Sequence, residues 1–277
     1  MPLLSKASAD RFIEIMVENN PILKLISFEK LNDPVCSYPL LQLSRYKTRS
    51  VARNTVATLV NVSDVTISFN AKELVLPLVI PDSYIEDMKS SHEKVANYAA
   101  RVFGLDLAYL FMNGDTTAEG ATDKILLQKS LDGVVKQLTD AAVTVDYAAG
   151  STPLDKIKAI FEELDDNTLA DPELKIFIGS SAYTTLWDII ANDSDKKALF
   201  LRDGKIVYRG NKEVVEIPEL SKIIVMNPGL IAGGMCRDIN LEVQRYPEAR
   251  GNKVVLSCRV DLDVVSGYAK IEGEETE

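Results

Sequence analysis

The chain has 277 residues, of which 46% are hydrophobic and 26% charged, and a formal net charge of −10. That apolar share is the globular norm and excludes wholesale disorder, while the length gives a prior of about two domains. No run of about 18 apolar residues exists to span a membrane, and no apolar core of a signal peptide follows Met1.

Three scattered cysteines, Cys36, Cys236 and Cys258, form no CxxC pair; this points to reduced thiols and away from a zinc knuckle. The single histidine, His92, rules out a His-rich metal site and leaves a Ser/His/Asp or Cys/His apparatus one residue to use. Walker A, GxGxxG, HExxH and GxSxG patterns are missing. Carboxylate-pair chemistry stays open, because it leaves no local signature. No cofactor and no metal is expected.

In chain order, Ser8 to Asn19 reads as a short amphipathic helix, with Phe12, Ile13, Ile15 and Met16 apolar and Asn19-Asn20-Pro21 as its stop. Pro21 and Pro34 bracket an irregular stretch, and no core for the helix is evident nearby in sequence. Residues 1–35 therefore read as an N-terminal arm. Residues 36–80 change to strands: Val65, Ile67, Phe69 and Ala71 alternate with Thr66, Ser68 and Asn70. Leu40, Leu41 and Leu43 begin an outgoing strand, and a polar tip around Lys47–Asn54, with neither Gly nor Pro, makes a wide loop rather than a tight hairpin. Pro77 demotes Leu74–Ile80 to an edge or a bend.

Ser90-Ser91-His92-Glu93 fits a capping box and opens the strongest helix, about 33 Å from Ser91 to Met112. Its apolar stripe is Val95, Tyr98, Ala99, Val102, Phe103, Leu107, Leu110 and Phe111, and Asn113-Gly114 stops it. His92 reads as an exposed first-turn residue. Thr152-Pro153-Leu154-Asp155 starts a second capped helix, Leu174–Ile178 a strand, and Ser180 or Ser181 caps a helix bearing Trp187, a core or interface residue. Strands recur at Lys205–Tyr208, Val214–Ile217 and Ile223–Met226. Gly229, Gly233 and Gly234 suggest a crossing between domains. Leu241–Tyr246, Val254–Val260 and Val264–Ile271 would form a long antiparallel sheet, ahead of a frayed acidic tail of Glu272, Glu274, Glu275 and Glu277.

Charge is unevenly spread. Pro34 to Ser63 holds no acid but carries Arg45, Lys47, Arg49 and Arg53, whereas Asp155 to Glu173 sets seven acids against Lys156 and Lys158. The basic segment admits three readings: a solvated hairpin face, a nucleic-acid contact with only Tyr46 as a stacking aromatic, or a projecting element that docks on an acidic copy of the same molecule.

Several segments resemble the major capsid proteins of tailed bacteriophages, the Hong Kong 97-type fold. Leu76-Pro77-Leu78-Val79-Ile80-Pro81-Asp82-Ser83-Tyr84-Ile85 looks like that family's strand-to-helix passage. Phe111-Met112-Asn113-Gly114-Asp115 resembles its helix-terminal F-L-N-G-D, and Leu131-Asp132-Gly133-Val134-Val135-Lys136 the segment leading into its axial domain. Arg259-Val260-Asp261 and Ser266-Gly267-Tyr268-Ala269-Lys270-Ile271 resemble its closing strand pair.

The resemblance, from about Tyr38 to Ile271, implies an α+β fold. It would comprise the arm 1–35, an extended loop hairpin 36–80, a peripheral domain with a spine helix 81–130, an axial α/β domain 131–235, and a return 236–277. It implies a non-enzymatic, self-assembling shell subunit of a virion that encloses double-stranded DNA without sequence-specific binding. Partners would be other copies in pentameric and hexameric capsomers, the portal and cement proteins, and, if assembly needs one, a separate scaffolding protein. Arg45, Lys47, Arg49 and Arg53 would be inter-subunit contacts. Overall acidity suits a shell filled by a motor; packaging by charge neutralisation would call for basic arms. The rivals are an encapsulin-like nanocompartment shell and, in a different class, a carboxylate-dependent cytosolic hydrolase.

Overall fold

The computed structural model describes residues 6–18, 20–41, 64–81, 91–209, 211–236, 239–246 and 251–276. Helices α1 (Lys6–Glu18) and α2 (Pro21–Leu25) precede strands β1 (Ser27–Leu31), β2 (Val35–Leu41), β3 (Asp64–Asn70) and β4 (Lys72–Pro81). Helices α3 (Ser91–Asn113), α4 (Asp123–Gln128) and α5 (Val134–Asp140) follow. Next come β5 (Thr144–Ala148), α6 (Pro153–Glu162), α7 (Asp166–Leu169), β6 (Lys175–Gly179), α8 (Ser180–Ala191) and α9 (Ser194–Phe200). The rest is strand: β7 (Leu201–Arg202), β8 (Lys205–Tyr208), β9 (Lys212–Ile217), β10 (Ile224–Met226), β11 (Ile231–Cys236), β12 (Asn240–Tyr246), β13 (Gly251–Val264) and β14 (Lys270–Thr276).

One sheet is organised on the 14-residue β13. Strand β4 runs antiparallel along one edge, from Gly251↔Pro81 to Val260↔Lys72. The other edge is shared by β12, opposite Gly251–Ser257, and β11, opposite Val260–Val264. Strand β1 adds in parallel to β11. Among the described residues β4 pairs with β13 alone, so Pro77 sits on an edge strand, where a missing N–H is tolerated.

Helix α3 covers this sheet. Ala99, Phe103, Leu107, Leu110 and Phe111 are buried in one cluster with Leu256, Cys258 and Val260 of β13. Tyr98, placed in the apolar stripe by its spacing, faces solvent instead; the side chains of His92 and Val95 lie outside the described residues. The helix ends as Asn-Gly predicts, with the Gly114 N–H on the Leu110 carbonyl at 2.8 Å.

A second sheet has the order β5-β14-β10-β6-β9-β8-β7. Its central strands read as unbroken apolar runs because both faces are covered. Ile176 and Ile178 of β6 and Val225 of β10 turn toward Ile157, Ile160 and Phe161 of α6 and Leu186 and Ile190 of α8. Phe177, Ile224 and Met226 turn the other way and join the cluster beneath α3. Helix α6 opens with the reciprocal capping box between Thr152 and Asp155.

Several sequence expectations are corrected. The first helix does have a core: Phe12, Ile13 and Met16 are buried against α3, with the Phe12 and Phe103 ring centroids 6.5 Å apart. Close approach is possible because Gly104 faces it; a Cβ there would lie 3.0 Å from the Met16 Cγ. Second, the stretch between Pro21 and Pro34 is ordered as α2 and β1. Asn20 caps α2 through Oδ1 on the Ile22 and Leu23 N–H groups, and its Nδ2 donates to the Gly104 carbonyl at 3.0 Å.

Third, Val264–Ile271 is not one strand of a three-stranded sheet. The chain makes a single 3-10 turn at Ser266–Tyr268 and enters the second sheet as β14, between β5 and β10. The expected frayed tail is therefore a strand as far as Thr276. Glu272 within it is buried, bonding Lys156 Nζ at 2.7 Å and the Ile223 N–H at 2.9 Å. Fourth, helix α8 is not capped by Ser180 or Ser181: its N-cap is Gly179, without a side-chain bond. Trp187 is 36% exposed, which excludes the core half of its expectation and leaves the interface half. Gly233 and Gly234 fall within β11, and the passage between sheets is the 3-10 turn Pro228–Leu230.

Candidate assembly surface

Strands β2 and β3 form a sheet of their own, in register from Val35↔Asn70 to Leu41↔Asp64. The alternation read from sequence is real: Ile67 and Phe69 are buried, while Thr66, Ser68 and Asn70 are exposed. Ile67 and Phe69 pack with Leu31, Ala232, Cys236 and Val265, which anchors the hairpin on β1 and β11.

The second edge of β3 is held by side chains rather than by a strand. Asp263 Oδ2 accepts the Ser68 N–H at 3.0 Å and Asp261 Oδ2 accepts the Asn70 N–H at 2.5 Å. Their Oδ1 atoms accept the Val264 and Leu262 N–H groups at 2.9 and 2.8 Å. Two carboxylates spaced by two residues on β13 thus replace a ladder and leave the hairpin tied to the body at its root. Burial pushes the Asp261 carboxyl above the ordinary range; the charge of Asp263 adds to this, against the pull of the two N–H bonds and of Lys72.

Sequence reading missed these carboxylates as site residues. The signal was Asp261 and Asp263 at a period of two inside an apolar strand, where aspartate is depleted.

The contact residues singled out from sequence, Arg45, Lys47, Arg49 and Arg53, lie outside the described residues. They belong to residues 42–63, which leave the hairpin at Leu41 and rejoin it at Asp64. The acidic stretch from Asp155 to Glu173 is largely used locally. Asp155 closes its capping box, Asp165 caps α7, and Asp171 Oδ2 accepts from Asn227 Nδ2 at 2.7 Å.

A different acidic surface exists. Between α2, β4, α3, α4 and the end of β9 runs an open groove of about 1040 Å³. Val75, Leu105 and Leu126, which are 55%, 65% and 54% exposed, line it. Large side chains at that exposure, gathered on one surface, mark an interaction site better than scattered ones do. The three cysteines are free, with Cys236 and Cys258 buried. Among the described residues no group of three or more His, Cys, Asp or Glu side chains could hold a metal ion.

No protein-family model matches the sequence, and no curated protein matches it. The architecture does find counterparts. It aligns with a chain of the satellite phage P4 procapsid at a TM-score of 0.69 and 13% identity, covering 96% of this chain and 99% of that one. The chain has the phage capsid fold. The same capsid fold aligns with the capsid of an empty GTA particle at a TM-score of 0.58 and 14% identity, over 93% of this chain and 90% of that one. A virus-like particle from Pyrococcus furiosus aligns at 0.56 and 11%, over 95% and 96%. This is the Hong Kong 97-type, α+β capsid fold that the sequence resemblance implied. The likeness at these identities is one of fold.

Proposed function

We propose that this chain is a shell subunit, the major capsid protein of a tailed double-stranded DNA phage, with a structural rather than catalytic role. The observation that carries the proposal is the end-to-end correspondence with the P4 procapsid chain, which leaves almost no part of either chain unmatched. In this reading the copies assemble as pentamers and hexamers in the host cytoplasm and end in the virion. Portal, cement and, where needed, scaffolding proteins are the further partners. The hairpin whose root is fixed by Asp261 and Asp263 carries residues 42–63 across a neighbouring copy. The second sheet with its helices, drawn from residues 131–235 and completed by β14 (Lys270–Thr276), forms the axial domain. A net charge of −10 suits a container that encloses DNA without neutralising it.

Negative-stain microscopy and light scattering of the purified protein test this. Uniform shells or megadalton capsomers are the expected result; a monodisperse monomer at every concentration, with and without co-expressed scaffold, would refute it. The match to the Pyrococcus furiosus particle favours a second reading, an encapsulin-like compartment. Protein cargo instead of DNA inside shells from the native source would select it.

A further inference from the structure

We infer that β3 has a second seat: the strand can close onto β13 as a continuation of β4, and Asp261 and Asp263 are the spacers that hold it off. The device lies within one chain and operates whether or not copies assemble.

Register defines the seat. Strand β4 follows β13 as far as Val260↔Lys72, and only Ala71 separates β4 from β3. Counting on from Val260↔Lys72 by two and by four residues sets Asn70 opposite Leu262 and Ser68 opposite Val264. Along an antiparallel strand, the backbone groups that face one neighbour recur at every second residue. The N–H groups of Ser68, Asn70, Leu262 and Val264 all face the gap between β3 and β13, where each donates to an aspartate. The Ala71 N–H points the other way, onto the Pro34 carbonyl at 2.8 Å, as that alternation requires. These four donors belong to two ladder pairs, and a carboxylate stands inside each. Asp261 bridges Asn70 to Leu262, and Asp263 bridges Ser68 to Val264. The Leu262 carbonyl is occupied as well, by Gln137 Nε2 of α5 at 3.0 Å.

The side chains already fit the closed position. In the continued register Ile67 comes opposite Val265, and the two are buried in one cluster. Closure therefore needs no slip of one residue, which would turn Ile67 and Phe69 to the other face. It exchanges four bonds to carboxylates for four main-chain bonds, and it joins the two-stranded sheet to the five-stranded one. The observed position wins because an ionised acceptor makes the stronger hydrogen bond. Strand β2 is paired along β3 as far as Leu41↔Asp64, so the point where the chain leaves and rejoins the hairpin moves with β3.

Amide hydrogen exchange of the double variant Asp261→Val, Asp263→Val separates the two positions, because valine offers no acceptor. If β3 closes, the Ser68, Asn70, Leu262 and Val264 amides find carbonyls, and their exchange stays within about threefold of the parent or slows further. A larger acceleration at these four, with the α3 amides unchanged, means donors left without acceptors and overturns the seat.

A disulfide test keeps both aspartates and does not depend on that variant folding. Ser68→Cys with Val264→Cys, in a Cys36→Ser background, would stand about 5.5 Å apart at Cα in the closed register. That lies inside the ~4.4–6.8 Å a disulfide spans. In a glutathione buffer the pair should close within one chain at least tenfold faster than the off-register pair Thr66→Cys with Val264→Cys. Equal rates, or no in-register disulfide, would overturn the seat. Adding Asp261→Val and Asp263→Val should speed the in-register bond at least tenfold again; a smaller gain would overturn the role of the aspartates as spacers. Neither experiment reads shell formation, so its failure leaves the shell-subunit proposal where it stood.

Discussion

Replacing Phe12 by alanine asks whether α1 belongs to this subunit's own core or to another copy. The ring is 4% exposed and sits 6.5 Å from the Phe103 ring at an interplanar angle of 55°. Truncating a fully buried phenylalanine costs about 3–5 kcal/mol, and the tilted aromatic pair accounts for roughly 0.5–1.5 kcal/mol beyond area alone. A loss of about 4 kcal/mol is a large part of a domain stability of about 5–15 kcal/mol. At roughly 2–4 °C per kcal/mol for a chain of this size, the unfolding midpoint should drop by about 10 °C.

The assay is thermal unfolding of the dilute, monodisperse protein. Phe103→Ala and the double variant complete a cycle, and a coupling of about 0.5–3 kcal/mol is expected for residues in contact. An unchanged midpoint in the dispersed subunit, combined with lost assembly, would refute the reasoning and return α1 to the role of an arm.

Two further predictions concern the helix stop and the hairpin root. Gly114→Ala should destabilise well beyond the usual figure of about 1 kcal/mol for a substitution, because its Cβ would lie 2.2 Å from the Leu131 carbonyl oxygen. Gly267→Ala, with nothing within 4 Å, should stay within about 0.5 kcal/mol; chemical unfolding of both variants decides. For Asp261→Asn the pH dependence is the readout. The folded Asp261 carboxyl titrates above its unfolded value, so its stabilising contribution is full below the unfolded pKa and is lost as pH rises through the folded one. The asparagine variant, which keeps one acceptor and gives up the N–H bond of either Asn70 or Leu262, should gain on wild type as pH rises above the ordinary carboxylate range. A gap that moves the other way would contradict the burial argument.

Much of the fold could be read from local pattern. The period-two alternation of Ile67 and Phe69, the helical stripe from Ala99 to Phe111 and the Thr152 capping box all stand where spacing put them. What could not be read depends on partners distant in sequence. Strand β1 exists because β11 lies beside it some two hundred residues later, and α1 is buried because Gly104 lets it close on α3. Glu272 looked like part of a solvated tail because four glutamates cluster there, yet its partners are Lys156 and the Ile223 backbone. The candidate surface divides the same way. The basic run from Arg45 to Arg53 is contiguous in sequence and lies outside the described residues. The groove is assembled from five elements between Asn20 and Glu219, and no window of sequence contains it.

The place of β14 has a consequence in time. The second sheet acquires β5, β6, β8, β9 and β10 as the chain grows, but the slot between β5 and β10 is filled only by Lys270–Thr276. Chains elongate at about 5–20 residues per second, so a gap separates the making of β10 from the arrival of the strand that joins it to β5. Throughout that interval the flanking edges stand open, and the buried face beneath α3 lacks Ile271. A nascent chain thus cannot complete this sheet early. The second sheet therefore closes only once Lys270–Thr276 has been made.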